Sequence, residues 1–358
     1  MVLIDFTGLI FQHTHSCVSI SKPELNENNK YNSSDILPYL KTYLLNELFD
    51  IHNKHSNEKI VICVDNTYKR NWRKEYYKQY KMSRNTKDNP IPFNEIFKDL
   101  NILIKELGEN TPFHVIDVEG AEADDCILTL SHAYSQYENV LIISSDKDML
   151  QAQRDKNVKQ YSPLLKKFIT YKDKDVDNIN EWIIEHVVLG DSADDVPRIF
   201  DNTEYTDEFI TYLKSNNMST DVRNFNDIRD KVISYNGEIF KKLRIGVKTI
   251  QKMIKNKTIN EFIEQYHDNF IRNKTLILSE YIPEDIKNDI IQKYKTSISK
   301  QCTCKNIDNF VNYLYDTELQ KVVENIPTEF RNSVVTIDDF IWEIYDKWWV
   351  EKFTDILY

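Results

Sequence analysis

Four short apolar runs, each leading into acidic residues, constrain the fold of this 358-residue chain most strongly. They lie at residues 2–4, 60–64, 113–118 and 140–143. Apolar runs of this length are typical of strands that are buried on both faces, and such strands form parallel sheets. Helical patterns separate the runs, at about 35–50, 94–107 and 121–134. The alternation predicts an α/β fold, with a central, mostly parallel sheet flanked by helices.

Nine carboxylates follow these runs or the later apolar stretch that ends at Gly190. They are Asp5, Asp65, Glu122, Asp124, Asp125, Asp146, Asp148, Asp191 and Asp194. Ligands of open α/β sheets gather at the carboxyl ends of the strands, so we expect these side chains to converge. Carboxylates in one pocket repel each other unless cations neutralise them. Hard oxygen ligands, with no His or Cys in the set, predict Mg²⁺ or Mn²⁺.

Each acidic group also has a purely structural interpretation. Glu122, Asp124 and Asp125 suit the first turn of a helix, where acids complement the helix dipole. Asp5 and Asp65 could each cap a loop. All the groups, however, occur at the same end of predicted strands. A two-metal site explains this better, because two cations about 4 Å apart can bind the attacking and leaving oxygens of a phosphoryl displacement.

A basic and aromatic segment follows Asp65. Between Tyr68 and Lys87 it holds eight cations and one acidic residue. Arg70, Arg73, Tyr77, Lys81 and Arg84 recur at helical spacing and are predicted to line one helical face. Cations for phosphates beside aromatic rings for bases indicate a single-strand-binding surface, and a solvated basic helix is the alternative. The predicted DNA contacts of this segment are Arg70, Arg73, Lys74, Tyr77, Lys78, Tyr80, Lys81 and Arg84.

Composition excludes several classes of protein. The formal net charge of −11 argues against a surface that coats nucleic acid as a whole, although it permits a local basic patch. Gly-rich phosphate loops and Ser-His or Cys-His arrangements are missing, which leaves ATPases and nucleophilic hydrolases unsupported. Five cysteines form no disulfide framework and suit a reducing cytosol. With no leader and no apolar segment of about 20 residues, we expect a cytoplasmic protein without a membrane partner.

The motifs occur in a characteristic order: Asp5, Asp65, the basic segment, Glu122-Ala123-Asp124-Asp125, Asp146-x-Asp148, and Gly190-Asp191 with Asp194. This order resembles the flap endonuclease and 5′-nuclease superfamily. Within it, the chain is most similar to the ribonuclease H group of T-even-type bacteriophages, which are 5′-to-3′ exonucleases that remove Okazaki primers. The resemblance covers roughly residues 1–195 well and 240–295 loosely.

The resemblance implies a role for each acidic group and for the basic segment. The residues expected around a first metal are Asp5, Asp65, Glu122 and Asp124. Those expected to serve a second metal, directly or through water, are Asp146, Asp148, Asp191 and Asp194, with Asp124 able to bridge and Asp125 behind the ligands. Lys81 and Arg84 would contact the scissile phosphate, and Tyr80 would stack on the end nucleotide. The expected catalytic residues are Lys81, Arg84, Asp124 and Asp146, and the expected cofactors are two Mg²⁺, with Mn²⁺ as a substitute.

The resemblance also implies a division of the chain. A PIN/flap-endonuclease-like core would span 1–189, with a helical arch at about 66–93. A helical duplex-binding region would follow at 190–300, with an insertion at about 201–244. A C-terminal helical segment would span 301–358. In the duplex-binding region, Gly246, Lys248 and Thr249 match a turn that grips DNA, where a K⁺ ion can bind. Here the insertion separates that turn from Asp194.

We therefore expect a monomeric, Mg²⁺-dependent 5′ nuclease that acts on RNA–DNA hybrids, nicked duplexes and 5′ flaps and removes RNA primers during phage DNA replication. A sliding clamp and a single-strand-binding protein are partners that this context suggests. The alternative is a catalytically silent DNA-junction-binding protein. An incomplete carboxylate set would support that alternative, and the set in this chain is complete. A haloacid-dehalogenase-like phosphatase needs a second Asp where this chain has Thr7, and a PIN-fold toxin ribonuclease lacks an arch.

Overall fold

The chain divides into two compact units in the computed structural model, which describes residues 1–85, 89–174, 176–200 and 245–332, together with Ser215 and two short strands at 233–235 and 238–240. The first unit comprises Met1–Asp65, Asn89–Val118 and Asn288–Tyr358, and the second comprises Asn66–Asp88 and Glu119–Lys287. The units interleave along the chain and do not coincide with the predicted boundary at residue 189. That boundary stays a prediction.

The strands lie close to the apolar runs. In chain order they are β1 (Val2–Asp5), β2 (Ile60–Cys63), β3 (His114–Ile116), β4 (Val140–Ile143), β5 (Val158–Ser162), β6 (Lys167–Ile169), β7 (Ile233–Tyr235) and β8 (Glu238–Phe240). In the first unit, β3, β2 and β1 pair in that order and are parallel. In the second, β4 and β5 are parallel, while β5–β6 and β7–β8 are antiparallel hairpins.

Helices connect and cover these strands. They are α1 (Phe6–Ser21), α2 (Ser33–Lys54), α3 (Trp72–Tyr76), α4 (Phe93–Asn110), α5 (Ala123–Tyr134), α6 (Ile179–Leu189), α7 (Val247–Lys255), α8 (Ile259–Gln265), α9 (His267–Ile277), α10 (Glu284–Ile298), α11 (Cys304–Asp316), α12 (Gln320–Val323) and α13 (Thr328–Asn332). Short 3-10 helices lie at Met82–Asn85, Lys147–Arg154, Tyr171–Lys174 and Ser279–Tyr281. The predicted α/β class, with mostly parallel strands and flanking helices, is confirmed.

The core of the first unit forms where apolar strands meet the apolar faces of helices. All four residues of β1 and of β2 are buried, as their unbroken apolar character predicts. Leu40, Leu44 and Leu48 repeat every four residues along α2 and are fully buried. The ring of Phe330 packs edge-on against Phe49, with 6.0 Å between ring centroids.

Two apolar clusters stabilise the second unit. One joins the 3-10 helix after β4 to α6 and α9; its buried members are Tyr80, Leu150, Trp182, Ile183, Val187, Val196, Leu276, Ile277 and Leu278. The other joins α6 to α7 and α8; its buried members are Val188, Ile199, Phe200, Ile250, Ile254 and Ile259. Because α6 contributes to both clusters, the turn that follows it is held on a rigid base.

Parts of the predicted organisation differ from the structure or fall outside it. The resemblance implies a helical region at 190–300, but the β7–β8 hairpin lies inside the predicted insertion at 201–244. The remainder of that insertion, apart from Ser215, and residues 333–358 lie outside the described residues. The C-terminal helical segment is described as α11 to α13. Within the described ranges, no helix is long and apolar enough to cross a membrane.

Candidate metal centre and active site

Two predicted metal ligands lie in the first unit, at the carboxyl ends of neighbouring parallel strands. Asp5 ends β1 and caps α1, because its Oδ1 accepts a hydrogen bond from the backbone N–H of Gly8 at 2.7 Å. A Cβ at position 8 would lie 2.4 Å from Asp5 Oδ2, so the approach of the carboxylate requires glycine there. Asp65 lies two residues beyond β2 and is exposed, and its backbone N–H donates to Thr7 Oγ1 at 3.0 Å.

Four predicted ligands of the second unit line a single pocket. They come from the first turn of α5, from the 3-10 helix that follows β4, and from the turn after α6: Asp124, Asp148, Asp191 and Asp194. The side chains of Arg73 and Tyr80 line the same pocket. The structure thus brings together acids that are far apart in the chain.

The turn after α6 is built to present Asp191 and Asp194. Gly190 ends the helix with φ of 65°, and a Cβ there would lie 2.4 Å from the backbone oxygens of Val196 and Pro197. This position therefore requires glycine. The backbone of Asp191 accepts from the N–H of Val196 at 2.8 Å, and its Oδ1 accepts from the N–H of Ala193 at 2.8 Å.

Glu122 and Asp125 form the buried end of the site. They make a capping box at the start of α5, in which the backbone N–H of Glu122 donates to Asp125 Oδ2 at 2.9 Å. Arg73 donates to both carboxylates: Nη2 to Asp125 Oδ1 at 2.8 Å and Nη1 to Glu122 Oε2 at 3.2 Å. The indole N–H of Trp72 also donates to Asp125, at 3.1 Å. Asp125 is fully buried, so its charge is compensated entirely within the protein.

The basic segment contacts the acids through Tyr80, Lys81 and Arg84. The Lys81 ammonium lies 2.8 Å from Glu122 Oε1 and 3.6 Å from Asp194 Oδ2. Arg84 donates to Asp194 Oδ1 at 2.7 Å. The Tyr80 hydroxyl is 2.9 Å from both Glu122 Oε2 and Asp194 Oδ2. These cations neutralise carboxylates that would otherwise repel each other.

Opposing effects set the protonation of these acids. Burial alone would raise the pKa of Glu122, but the charges of Lys81 and Arg73 outweigh it and lower that pKa to about 2. For Asp194, burial raises the pKa, and the attraction of Lys81 and Arg84 does not cancel that effect. The site therefore contains one carboxylate, Glu122, that is held firmly ionised, and another, Asp194, that is protonated more readily than usual.

A histidine lies among the acids of the pocket. The Nε2 atom of His186, on α6, is 2.9 Å from Asp148 Oδ1. Burial lowers the pKa of His186 while Asp148 raises it, with a net rise; the pKa of Asp148 is lowered because His186 outweighs its burial. Lys147 lies 3.1 Å from Asp191 Oδ2. Donor atoms of Asp148, His186 and Asp191 all lie within 4.8 Å of one another.

This donor set fits a divalent cation. Carboxylate oxygens are the ligands that Mg²⁺ and Mn²⁺ prefer, and an imidazole nitrogen suits Mn²⁺ and the later transition metals. Asp148 Oδ1 and His186 Nε2 are buried, and neither makes an aligned hydrogen bond within the described ranges, although they face each other. A buried polar atom without an aligned hydrogen bond lowers the stability of the fold unless a ligand contacts it.

Asp146 lies apart from the buried group. It is exposed and caps the 3-10 helix, where its Oδ1 accepts from the backbone N–H of Asp148 at 2.8 Å. Its own N–H donates to Ser144 Oγ at 3.1 Å. In this conformation Asp146 therefore positions the backbone of Asp148.

The prediction that the basic segment presents one helical face is wrong. In the described part of the segment, residues 68–85, the helical elements are α3, which ends at Tyr76, and one 3-10 helix. Lys81 has φ of 53°, which a continuous α-helix does not allow. Arg73 and Tyr80 are buried rather than directed to solvent. Lys81 and Arg84, which lie beyond α3, pair with Glu122 and Asp194.

The remaining predicted DNA contacts differ in exposure. Arg70 donates to Asp285 at 3.0 Å and to Glu75 at 3.3 Å. Tyr77 is half-buried, with the Arg272 guanidinium 5.4 Å from its ring centroid. Lys78 is exposed and Lys74 is half-buried.

The predicted duplex-binding turn starts α7. Gly246 is its N-cap residue, and the backbone N–H of Thr249 donates to the Gly246 carbonyl at 3.0 Å. Lys248 and Thr249 are exposed, and no atom lies within 4 Å of a Cβ added at Gly246 in the described structure. The turn is thus open to a ligand.

Comparison with known proteins identifies the family. A family model described as "5′-3′ exonuclease, N-terminal resolvase-like domain" matches residues 1–181, half of the chain. This chain belongs to that family. It is a nuclease of the 5′-3′ exonuclease family, which confirms the resemblance and the prediction of an enzyme.

Members of the family and solved structures resemble the chain over different spans. Ribonuclease H of Enterobacteria phage T4 is 26% identical over 243 residues, which is 66% of this chain and 70% of the phage protein. A 5′-3′ exonuclease of Buchnera aphidicola subsp. Schizaphis graminum is 32% identical over 181 residues, 49% of this chain and 58% of its own length. A structure of the T5 5′-exonuclease with divalent metal ions (zinc) aligns with a TM-score of 0.48 at 16% identity, over 91% of this chain and 99% of that chain.

Sequence reasoning missed two residues of this exonuclease-family site. The predicted ligands are all carboxylates, which leaves out His186, and the predicted roles leave out Lys147, which lies between two predicted ligands. The available signals were their positions: His186 precedes Gly190 by one helical turn, and Lys147 shares the strand-end loop of Asp146 and Asp148.

Proposed function

We propose that this protein is a Mg²⁺-dependent, structure-specific 5′-to-3′ nuclease that hydrolyses RNA–DNA hybrids, nicked duplexes and 5′ flaps, and that it removes RNA primers during phage DNA replication. The observation that carries the proposal is the pairing of cations of the basic segment with carboxylates of the site: Lys81 with Glu122 at 2.8 Å, and Arg84 with Asp194 at 2.7 Å. A nuclease needs both charges at the same place, because metals bind to the acids and phosphates bind to the cations.

The proposed metal ligands of the second unit are Asp124, Asp148, Asp191 and Asp194, supported by the pocket that they line together. A divalent cation there supplies Lewis acidity toward a phosphodiester. The other predicted ligands, which stay predictions, are Asp5, Asp65, Glu122, Asp125 and Asp146.

The protein's own residues have separate tasks in this proposal. Lys81 and Arg84 carry long, flexible side chains, which can turn from Glu122 and Asp194 to a phosphate once those acids have another counter-ion. Their charge then stabilises the negative charge that develops on the phosphate oxygens. Arg73 fixes the Glu122 and Asp125 side chains in place, because it donates to both from a buried position.

The duplex would bind separately from the reacting phosphate. Exposed Lys248 and Thr249 at the start of α7 offer a cation and a hydroxyl group to a DNA phosphate, and the helix N-terminus favours an anion. A K⁺ ion at this turn, a sliding clamp and a single-strand-binding protein belong to the same proposal. We also propose that the protein acts as a monomer in the cytoplasm of the host cell.

Cleavage assays test the proposal directly. A 5′-flap duplex and a 5′-labelled RNA–DNA hybrid are incubated with the full chain in Mg²⁺ or in EDTA. Lys81→Ala and Asp148→Asn are compared with Lys156→Ala and Asp177→Asn, which replace exposed residues of the same unit. We expect short 5′ products that require Mg²⁺, a loss of at least roughly 100-fold in the first two variants, and wild-type rates in the controls.

Two outcomes would contradict the proposal. Cleavage that persists in EDTA would exclude the metal mechanism. Binding of the flap without cleavage in any divalent metal would instead favour a silent junction-binding protein.

A further inference from the structure

An imidazole occupies a position among the pocket acids that simple packing does not explain. His186 projects from α6, and its side chain is only 7% exposed. Its ring stacks on Trp182 one turn earlier, with ring centroids 5.0 Å apart and planes at 21°. This stacking fixes the direction of the ring, so that Nε2 faces Asp148 Oδ1 at 2.9 Å.

The surroundings of Nε2 point to a bound cation. Neither Nε2 nor Asp148 Oδ1 makes an aligned hydrogen bond in the parts of the chain that the structure describes. One donor atom each from Asp148, His186 and Asp191 lies within 4.8 Å of the others. Three donors this close, on elements fixed by an apolar cluster, can face one ion at ordinary ligand distances.

We propose that His186 is a nitrogen ligand of the metal centre, beside Asp148 and Asp191, and that this position binds Mn²⁺ and Co²⁺ in preference to Mg²⁺. The inference rests on the proposed function, since it concerns the metal on which that function depends. Imidazole is a poor ligand for Mg²⁺ and a good one for transition metals, whereas carboxylates accept both. A centre with only carboxylates would lack this preference.

A different role for His186 gives a different signature. A histidine that only orients Asp148 would stay outside the coordination sphere, as residues behind metal ligands do. It would influence affinity without any magnetic coupling between its nitrogen and the metal. Spectroscopy of the bound ion therefore separates the two roles, which activity cannot do.

The experiment is pulsed electron paramagnetic resonance of Mn²⁺ bound to the full chain, prepared with either ¹⁴N- or ¹⁵N-labelled histidine. Electron spin echo modulation reports a directly bound imidazole nitrogen. His186→Gln is compared with His132→Gln, whose side chain is 86% exposed. Free Mn²⁺ and competing Mg²⁺ are titrated in the same samples, and circular dichroism checks folding.

We expect modulation in the wild type that changes with the nitrogen isotope, is retained in His132→Gln and is lost in His186→Gln. The Mn²⁺-to-Mg²⁺ affinity ratio should fall roughly tenfold or more in His186→Gln alone. Should that variant fail to fold, the isotope comparison in the wild type still decides. Bound Mn²⁺ without nitrogen modulation, or modulation that survives in His186→Gln, would overturn the inference.

The cleavage assay keeps this inference distinct from the proposed function. Mn²⁺ bound without nitrogen modulation, in a protein that cleaves the flap, would remove the role of His186 and leave the nuclease proposal standing. A chain that neither binds Mn²⁺ nor cleaves would refute both.

Discussion

Replacing Arg73 by Met should destabilise the protein strongly, because Arg73 is the buried counter-charge of two carboxylates. Its side chain is 5% exposed and donates to Asp125 at 2.8 and 3.1 Å and to Glu122 at 3.2 Å. A further N–H donates to the backbone carbonyl of Leu276 at 2.9 Å. The substitution would leave a fully buried Asp125 carboxylate without its cation.

The magnitude follows from these contacts. Removing one partner of a buried ion pair costs roughly 3–5 kcal/mol, because the other charge stays buried without compensation. The unpaired Leu276 carbonyl adds to this cost, and the apolar Met side chain offsets part of it. We therefore expect the free energy of unfolding of Arg73→Met to fall by about 3–5 kcal/mol.

Urea unfolding monitored by circular dichroism measures this change. The matched control is Arg70→Met, which removes a partly exposed arginine paired with Asp285 and Glu75 and should change stability little. The double variant Arg73→Met/Asp125→Leu should lose less than the two single variants together, with a coupling of roughly 1–3 kcal/mol. A loss below about 1 kcal/mol in Arg73→Met, or equal losses for both arginines, would refute the reasoning.

Single contacts elsewhere predict three further results. Glu122 has a pKa of about 2 against an ordinary value of 4.5, so the stability that its ionised form contributes is complete above about pH 4.5 and is lost as the pH falls toward 2. The melting temperature of Glu122→Gln should therefore depend less on pH across that window than the melting temperature of the wild type. The same pH dependence in both proteins would contradict this. Gly190→Ala should lower the free energy of unfolding by on the order of 2 kcal/mol or more, since it combines φ of 65° with a backbone oxygen 2.4 Å from the new Cβ. An unchanged free energy of unfolding in urea would show that the turn can relax. Gly8→Ala should displace the Asp5 carboxylate and slow flap cleavage roughly 100-fold with little loss of stability, whereas wild-type rates would argue against Asp5 as a ligand.

The sequence predicts the strands well because their signal is local. β1 and β2 are continuous apolar runs, and burial on both faces leaves them no other environment. The acids that follow parallel strands must then lie at one edge, which is a property of the fold class rather than of any single residue. For this reason the positions of Asp5 and Asp148 at strand ends could be anticipated without coordinates.

The basic segment and His186 could not be predicted in the same way. Arg73 and Lys81 recur at helical spacing, but α3 ends at Tyr76, and the Lys81 ammonium pairs with Glu122, which is 41 positions away in the sequence. A local pattern contains no information about that contact. His186 looks like one position of an ordinary apolar helix, and only the fold brings its Nε2 to Asp148.

Anomalous diffraction from crystals of the full chain soaked in Mn²⁺ would show whether the acidic pocket is a divalent-metal centre served by Lys81 and Arg84. We expect anomalous density beside Asp148 and Asp191, with Lys81 and Arg84 withdrawn from Glu122 and Asp194. Absence of density at these carboxylates, in protein that still cleaves the flap with Mn²⁺, would contradict it.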